Sequence, residues 1–204
     1  MKHKVFVIGD SVSIHYGPYL KTMIADKFDY DRKRGIGEAL LDLDKPVGVN
    51  AGDSGMILGY LMEENEKNTV YDILLINCGL HDVRIDRYSN KIQVELEQYK
   101  KNLIRIIDIA KTMANKVIWI GLTPIIDEIH NDREVGFLRY SKDVITYDTV
   151  AKEIMAEYNI PCLDMYNFTK NLGSDIYLDH VHFKEEVRKL QAAFIAGSLN
   201  CFVW

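Results

Sequence analysis

The stretch Val5-Phe6-Val7-Ile8-Gly9-Asp10-Ser11 decides how this chain is read. Its first four residues are all β-branched or aromatic and predict a strand buried inside a sheet. The serine comes directly after it. Open α/β sheets place their chemistry at the carboxyl ends of the strands, so Ser11 is a candidate nucleophile. A serine hydroxyl is inert until a base takes its proton, and the base needs a third group to fix its tautomer and stabilise the imidazolium. Asp179-x-x-His182 carries both. In a helical or tight-turn segment, side chains three residues apart share a face and meet.

Outward from that strand, further apolar runs fall at 47–51, 73–78, 117–122 and 160–163, separated by longer amphipathic stretches. Helices are predicted at 16–28, 92–114, 143–158 and 184–199. The second has Ile92, Leu96, Tyr99, Leu103, Ile106, Ile107 and Ala110 at helical spacing. Strands alternating with helices imply a parallel sheet covered on both faces, a three-layer α/β/α sandwich of about five strands. Residues 1–204 are expected to form one doubly wound domain, with a loop or small excursion at 29–46. The segment 125–142 follows the fourth predicted strand on the same edge as Ser11. Its Asp127, Glu128, His130, Asn131 and Arg133 predict a polar substrate rim.

With 48% hydrophobic residues, four prolines and no low-complexity tract, the chain is expected to fold around a sizeable core. A net charge of −5 with scattered Lys and Arg excludes a nucleic-acid footprint. Cys78, Cys162 and Cys201 are odd in number and widely spaced, and read as reduced, buried thiols. The apolar run at 5–8 is too short for a leader core, and no apolar span is long enough for a membrane helix. As written, the chain is expected in the cytoplasm; one whose leader had been cleaved would read the same. Nothing in the sequence speaks to oligomeric state.

Gly-Asp-Ser occurs twice, the second copy being Gly52-Asp53-Ser54-Gly55. Ser54 lies in a run of turn-forming residues rather than after a clean strand, so Ser11 is the preferred nucleophile. The Gly-x-Ser-x-Gly elbow of the α/β-hydrolases fails, because Ser13 stands where its second glycine should be. His180-x-His182, with His81 and Asp179 as further ligands, could bind a metal. No cysteine pair or His-Glu-x-x-His helix supports that reading, and His180 is expected to line the pocket or meet solvent.

Taken in order, Gly9-Asp10-Ser11, Asn50-Ala51-Gly52-Asp53-Ser54-Gly55, Gly79-Leu80-His81-Asp82 and Asp179-x-x-His182 resemble the four blocks of the SGNH (GDSL) hydrolase family over nearly the whole chain. The resemblance implies a flavodoxin-like sandwich and an esterase, thioesterase, lipase or carbohydrate deacetylase. It makes Ser11 the nucleophile and first oxyanion amide, Gly55 the second amide donor, and Asp179 and His182 the acid and base, with Asp10 and Asp82 in support. The third block departs from the family's Gly-x-Asn-Asp: His81 replaces the asparagine that donates to the oxyanion. An imidazole can keep that role with altered reach and a pH dependence, and Asp82 would orient it or organise its loop.

The implied reaction is two-step acyl transfer through an acyl-enzyme, with no cofactor and no metal. The expected partner is a small-molecule or glycan ester. Without a large apolar insertion the chain favours short acyl groups, first of all an O-acetylated carbohydrate, with lysophospholipids and thioesters open. The rival reading is a degenerate hydrolase that binds an acylated glycan without cleaving it, motivated by His81.

Overall fold

The computed structural model describes residues 2–133 and 136–202. Val5–Ile8 are the buried end of strand β1 (His3–Ile8). Helix α1 (Ser11–Met23), strand β2 (Phe28–Arg32), α2 (Ile36–Leu41), α3 (Ser54–Glu66), β3 (Tyr71–Ile76), β4 (Ile85–Asp86) and α4 (Leu96–Met113) follow in turn. The rest is β5 (Ala114–Ile120), α5 (Asp127–Asn131), β6 (Phe137–Leu138), α6 (Ser141–Glu157), β7 (Cys162–Leu163), α7 (Met165–Lys170) and α8 (Glu185–Phe202). Five strands make one sheet in the order β2-β1-β3-β5-β7, and every pairing in it is parallel. β4 and β6 form a separate antiparallel ribbon.

This is the flavodoxin-like order. After β1 the chain moves outward to β2 and then returns across β1 to β3. The crevice beyond the carboxyl ends of β1 and β3 is the topological switch point, where such folds bind ligands. Helices α1 and α8 pack together, as do α3 with α4 and α4 with α6. Val7, Leu74, Leu75, Ile118, Leu103 and Ile107 lie in the core between sheet and helices.

The second strand is not at 47–51 but at Phe28–Arg32, where the sequence reading placed a helix end and a loop. At 47–51 only an isolated Gly9–Asn50 bridge forms among the described residues. β2 borders only β1, so Asp29 and Asp31 alternate with Phe28 and Tyr30 without entering the sheet's dry centre. The polar alternation of an edge strand hid it. Its Arg32 is buried and donates to the Ser13 carbonyl (2.8 Å) and to Ser13 Oγ (3.0 Å), tying the edge to α1.

Helix α1 starts five residues earlier than predicted, because Asp10 caps it by accepting from the Val12 N–H (3.0 Å). Helix α3 was missed altogether. The turn-like Gly52-Asp53-Ser54 is its cap, with Asp53 accepting from Met56 N (2.9 Å) and Ile57, Leu58 and Leu61 buried beneath. Helix α4 starts at Leu96 rather than 92, since Gln93 N and Val94 N donate back to the Arg84 and Asp82 carbonyls. The cysteines are free, but only Cys78 is buried; Cys162 is half-buried and Cys201 exposed. Among the described residues no helix is long and apolar enough to cross a membrane.

Gly79, just past β3, has φ +142, and a Cβ there would sit 2.7 Å from both Leu122 methyls. Gly79→Ala is expected to cost about 1–3 kcal/mol, readable as a lower urea midpoint with an unchanged slope.

Candidate active site

The cap that begins α1 also places Ser11. Gly9 follows β1, Asp10 turns the chain, and Ser11 becomes the first helical residue, at the carboxyl edge of the sheet. Ser11 Oγ donates to His182 Nε2 (2.8 Å), and His182 Nδ1 donates to Asp179 Oδ2 (2.8 Å). Asp179 and His182 do not share a helix face. They are held by a tight turn in which Asp179 Oδ1 accepts from Val181 N (2.9 Å) and His182 N (2.8 Å). The Leu178 N–H donates to the His182 carbonyl, and Tyr177 bridges Phe183. One carboxylate thus fixes both the base's backbone and its ring.

Burial would raise the Asp179 carboxyl, but the His182 ring and the two backbone N–H groups outweigh it and hold the group well below the usual carboxylate range. Asp179 therefore stays ionised and keeps His182 in the tautomer that accepts from Ser11. The His15 ring meets that of His182 edge-on at 4.8 Å. Burial, then the His182 charge, pushes His15 down to about 3, so it packs as a neutral wall. Ser11 is 6% exposed and His182 2% exposed, which shields the pair from water.

The Ser11 and Gly55 N–H groups open α1 and α3 and have no acceptor among the described residues. Such first-turn amides are free to meet a developing negative charge. The two helix starts are joined through the Gly9–Asn50 bridge and the Ala51 N–H donating to the Gly9 carbonyl (3.0 Å). Gly55 has no positive φ; the left-handed glycine of this block is Gly52 (φ +73), where a Cβ would meet Met56 and Pro46.

Asp82 does not orient His81. Both its oxygens accept from the Ser54 N–H (2.9 and 3.1 Å), while Asn102 Nδ2 donates to Ser54 Oγ (2.9 Å). The carboxylate holds the start of α3 and hence the Gly55 amide. It also engages the second Gly-Asp-Ser serine, which is fully buried. Burial, against the Ser54 contacts, pushes Asp82 up to about 7. The folded chain then binds more protons than the unfolded one from pH 3.8 to about 7, so this group's contribution to stability falls as pH rises through that window. Asp82→Asn removes the slope: its stability relative to the unmodified chain is expected to gain a few kcal/mol across that range, at about 1.4 kcal/mol per unit. Urea titrations of both proteins check this, and parallel pH curves refute it.

The residue sequence of the GDSL-like Lipase/Acylhydrolase family matches positions 5–195 of the chain. The chain belongs to this family. With that membership it is an ester hydrolase by family. Its fold is similar to that of an acetyl xylan esterase, AlAXEase (16% identity, TM-score 0.68, covering 96% of this chain and 99% of that one). It is also similar to a catalytic mutant of Axe2, an acetylxylan esterase from Geobacillus stearothermophilus (14%, 0.70, 97% and 94%). A lipase/acylhydrolase from Enterococcus faecalis shares it too (18%, 0.64, 98% and 96%). No curated protein matches the sequence.

Within this GDSL-like chain the predicted rim is not an open polar surface. Asp127 accepts from the Ser141 N–H (2.7 Å), and Asn131 exchanges hydrogen bonds with the Arg139 backbone (2.9 and 3.0 Å). His130 is buried, and Arg133 donates to Asp44 (2.8 Å) and reaches the His180 ring. Of the polar residues at 127–133 only Glu128 and Asp132 are exposed, beside the apolar Ile129. His180 neither meets solvent nor is available as a metal ligand: its Nδ1 faces His130 Nδ1 at 2.6 Å and its Nε2 faces Arg133. Among the described residues no group of three or more His, Cys, Asp or Glu side chains could hold a metal ion. Arg84, Arg139, Asp44, Asn102 and His15 also meet at the site or brace it, and no motif spacing marks them. Only their attachment to rim and block segments could have drawn notice.

Proposed function

We propose that the chain is a serine ester hydrolase of short acyl groups, working through an acyl-enzyme on Ser11. The hydrogen-bonded line Ser11–His182–Asp179, with 2.8 Å at both steps, carries this reading. His182 takes the Ser11 proton during attack and delivers it to the leaving alcohol; water then repeats the sequence on the acyl-enzyme. The Ser11 and Gly55 amides and the His81 ring stabilise the oxyanion. An O-acetylated carbohydrate is the favoured substrate, supported by the acetylxylan esterases among the fold's solved relatives. The polar rim residues support that choice less than their composition suggested, because Asp127, His130, Asn131 and Arg133 are already engaged by Ser141, His180, Arg139 and Asp44.

Asp179 is held ionised well below the usual carboxylate range, so it is expected to add no step to kcat/KM between about pH 5 and about pH 9. A step in that window that Asp179→Asn abolishes would contradict this. The deciding experiment pairs release of acetate from acetylated xylo-oligosaccharide with labelling by an organophosphonate. A single adduct on Ser11, lost in Ser11→Ala, supports the reading. Absence of both turnover and adduct replaces it with a glycan-binding protein.

A further inference from the structure

A cationic cluster lies directly beside the triad, and the reaction proposed above does not use it. Arg84 leads into β4, Arg139 follows β6, and Arg133 follows α5; Arg84 and Arg139 meet at the Phe137 ring, and Arg133 reaches His180. The guanidinium of Arg84 lies 4.2 Å from the centre of the Phe137 ring and that of Arg139 5.0 Å from it. Arg139 Nε donates to the Leu80 carbonyl (2.7 Å), so this arginine grips the residue before His81. Arg133 bridges Asp44 and His180, and His180 directly follows the triad's Asp179. The cluster therefore touches the site at two places, the third block and the Asp179–His182 turn.

Among the described residues its charges do not balance locally: three guanidiniums share one carboxylate in direct contact, Asp44, which accepts from Arg133, while Arg84 donates to the Asp44 backbone carbonyl. Asp10, Asp42 and Asp53 act on Arg84 from further away, and Asp10 is engaged in capping α1. The imidazoles of His81, His130 and His180 are held neutral by burial and by these arginines, so they add donors but no compensation. Arg139 is 2% exposed, yet its Nη1 has no hydrogen-bond partner among the described residues; Arg84 Nε and His81 Nδ1 are equally unmatched. Buried guanidinium N–H groups are normally all satisfied, and the acceptor that suits a paired fork is a planar or tetrahedral oxyanion.

We infer that Arg84 and Arg139 form a subsite for an anionic group, a carboxylate or a phosphate, carried by the ester substrate next to its scissile bond. The inference rests on the serine-hydrolase reading of the same site and narrows it from neutral acyl esters to acidic ones. A uronate-bearing or phosphate-bearing acyl ester would fit this chemistry, whereas a neutral acetylated sugar leaves the unmatched donors as they stand.

The test compares charged and neutral versions of one ester at low salt: 4-acetoxybenzoate against its methyl ester for the alcohol side, and 4-nitrophenyl hemisuccinate against its methyl ester for the acyl side. One charged ester is expected to have the higher kcat/KM, by about tenfold or more, and Arg84→Gln to reduce that ratio by a similar factor. Taking the ratio removes any general loss in the variant. Arg84 is partly exposed, so its variant is expected to fold where an Arg139 variant fails; circular dichroism checks this. Ser11-dependent turnover of the neutral esters with no preference for either charged one, or a preference that survives Arg84→Gln, overturns the inference and leaves the esterase intact. If no ester is turned over, the esterase reading fails, and calorimetric titration of 4-acetoxybenzoate and hemisuccinate into the intact chain decides the subsite. Binding that Arg84→Gln abolishes supports it, and no binding overturns it.

Discussion

Ser11→Ala and His182→Ala are each expected to lower kcat for a short acyl ester by about 10^4- to 10^6-fold, and the double variant to lose little more than either single one. Nucleophile and base act as one unit: without His182 the Ser11 hydroxyl keeps its proton, and without Ser11 the base has only water to activate. The geometry makes the coupling strict, since His182 Nε2 has Ser11 Oγ at 2.8 Å and its other nitrogen is committed to Asp179. What survives should be the stabilisation given by the free amides of α1 and α3. Steady-state kinetics on p-nitrophenyl acetate, with single-turnover traces to reveal the acyl-enzyme burst, measure it. If either variant kept more than a tenth of the parent rate, the relay would not be the catalytic machinery.

Replacing His81 with alanine is expected to reduce kcat by about 100- to 1,000-fold with little change in KM, the signature of a donor that acts mainly in the transition state. His81 is buried, and burial, then Arg84 and Arg139, holds its ring neutral far below the ordinary imidazole value. A neutral imidazole offers a single N–H. Held in its neutral form, the ring keeps that one donor, so little of the pH dependence of an ordinary histidine is expected from it. His81→Asn restores an amide donor and is expected to recover most of the alanine loss. An alanine variant at parental rate would leave the oxyanion to the two backbone amides alone.

How legible each residue was depended on whether its partner lies nearby in sequence. Ser11, Asp179 and His182 were readable because strand, turn and spacing are local signals, and the geometry brings them together as read. In the second block the left-handed backbone falls on Gly52 and not on Gly55, a difference that the spacing of the glycines does not show. Asp82 was readable as a supporting residue but not as the clamp on Ser54, because the partner lies 28 residues away in sequence. The edge strand Phe28–Arg32 and helix α3 escaped for opposite reasons. The strand's exposed side carries aspartates that mimic a loop, and the helix's cap is made of residues that also make turns.

By itself the sequence determined the alternation of buried strands and helices, hence a parallel sandwich, and the four blocks at its carboxyl edge. Those properties follow from periodicity and from turn and cap chemistry, which act over a few residues. Only the tertiary structure decided that β2 lies at the sheet edge beside β1, that Asp82 holds α3, that most rim residues are engaged by residues around them, and that Arg84 and Arg139 gather around Phe137 while Arg133 meets Asp44 and His180. Each of these is a contact between segments far apart in the chain. Charge balance and burial at such contacts are set by packing, which local pattern does not encode.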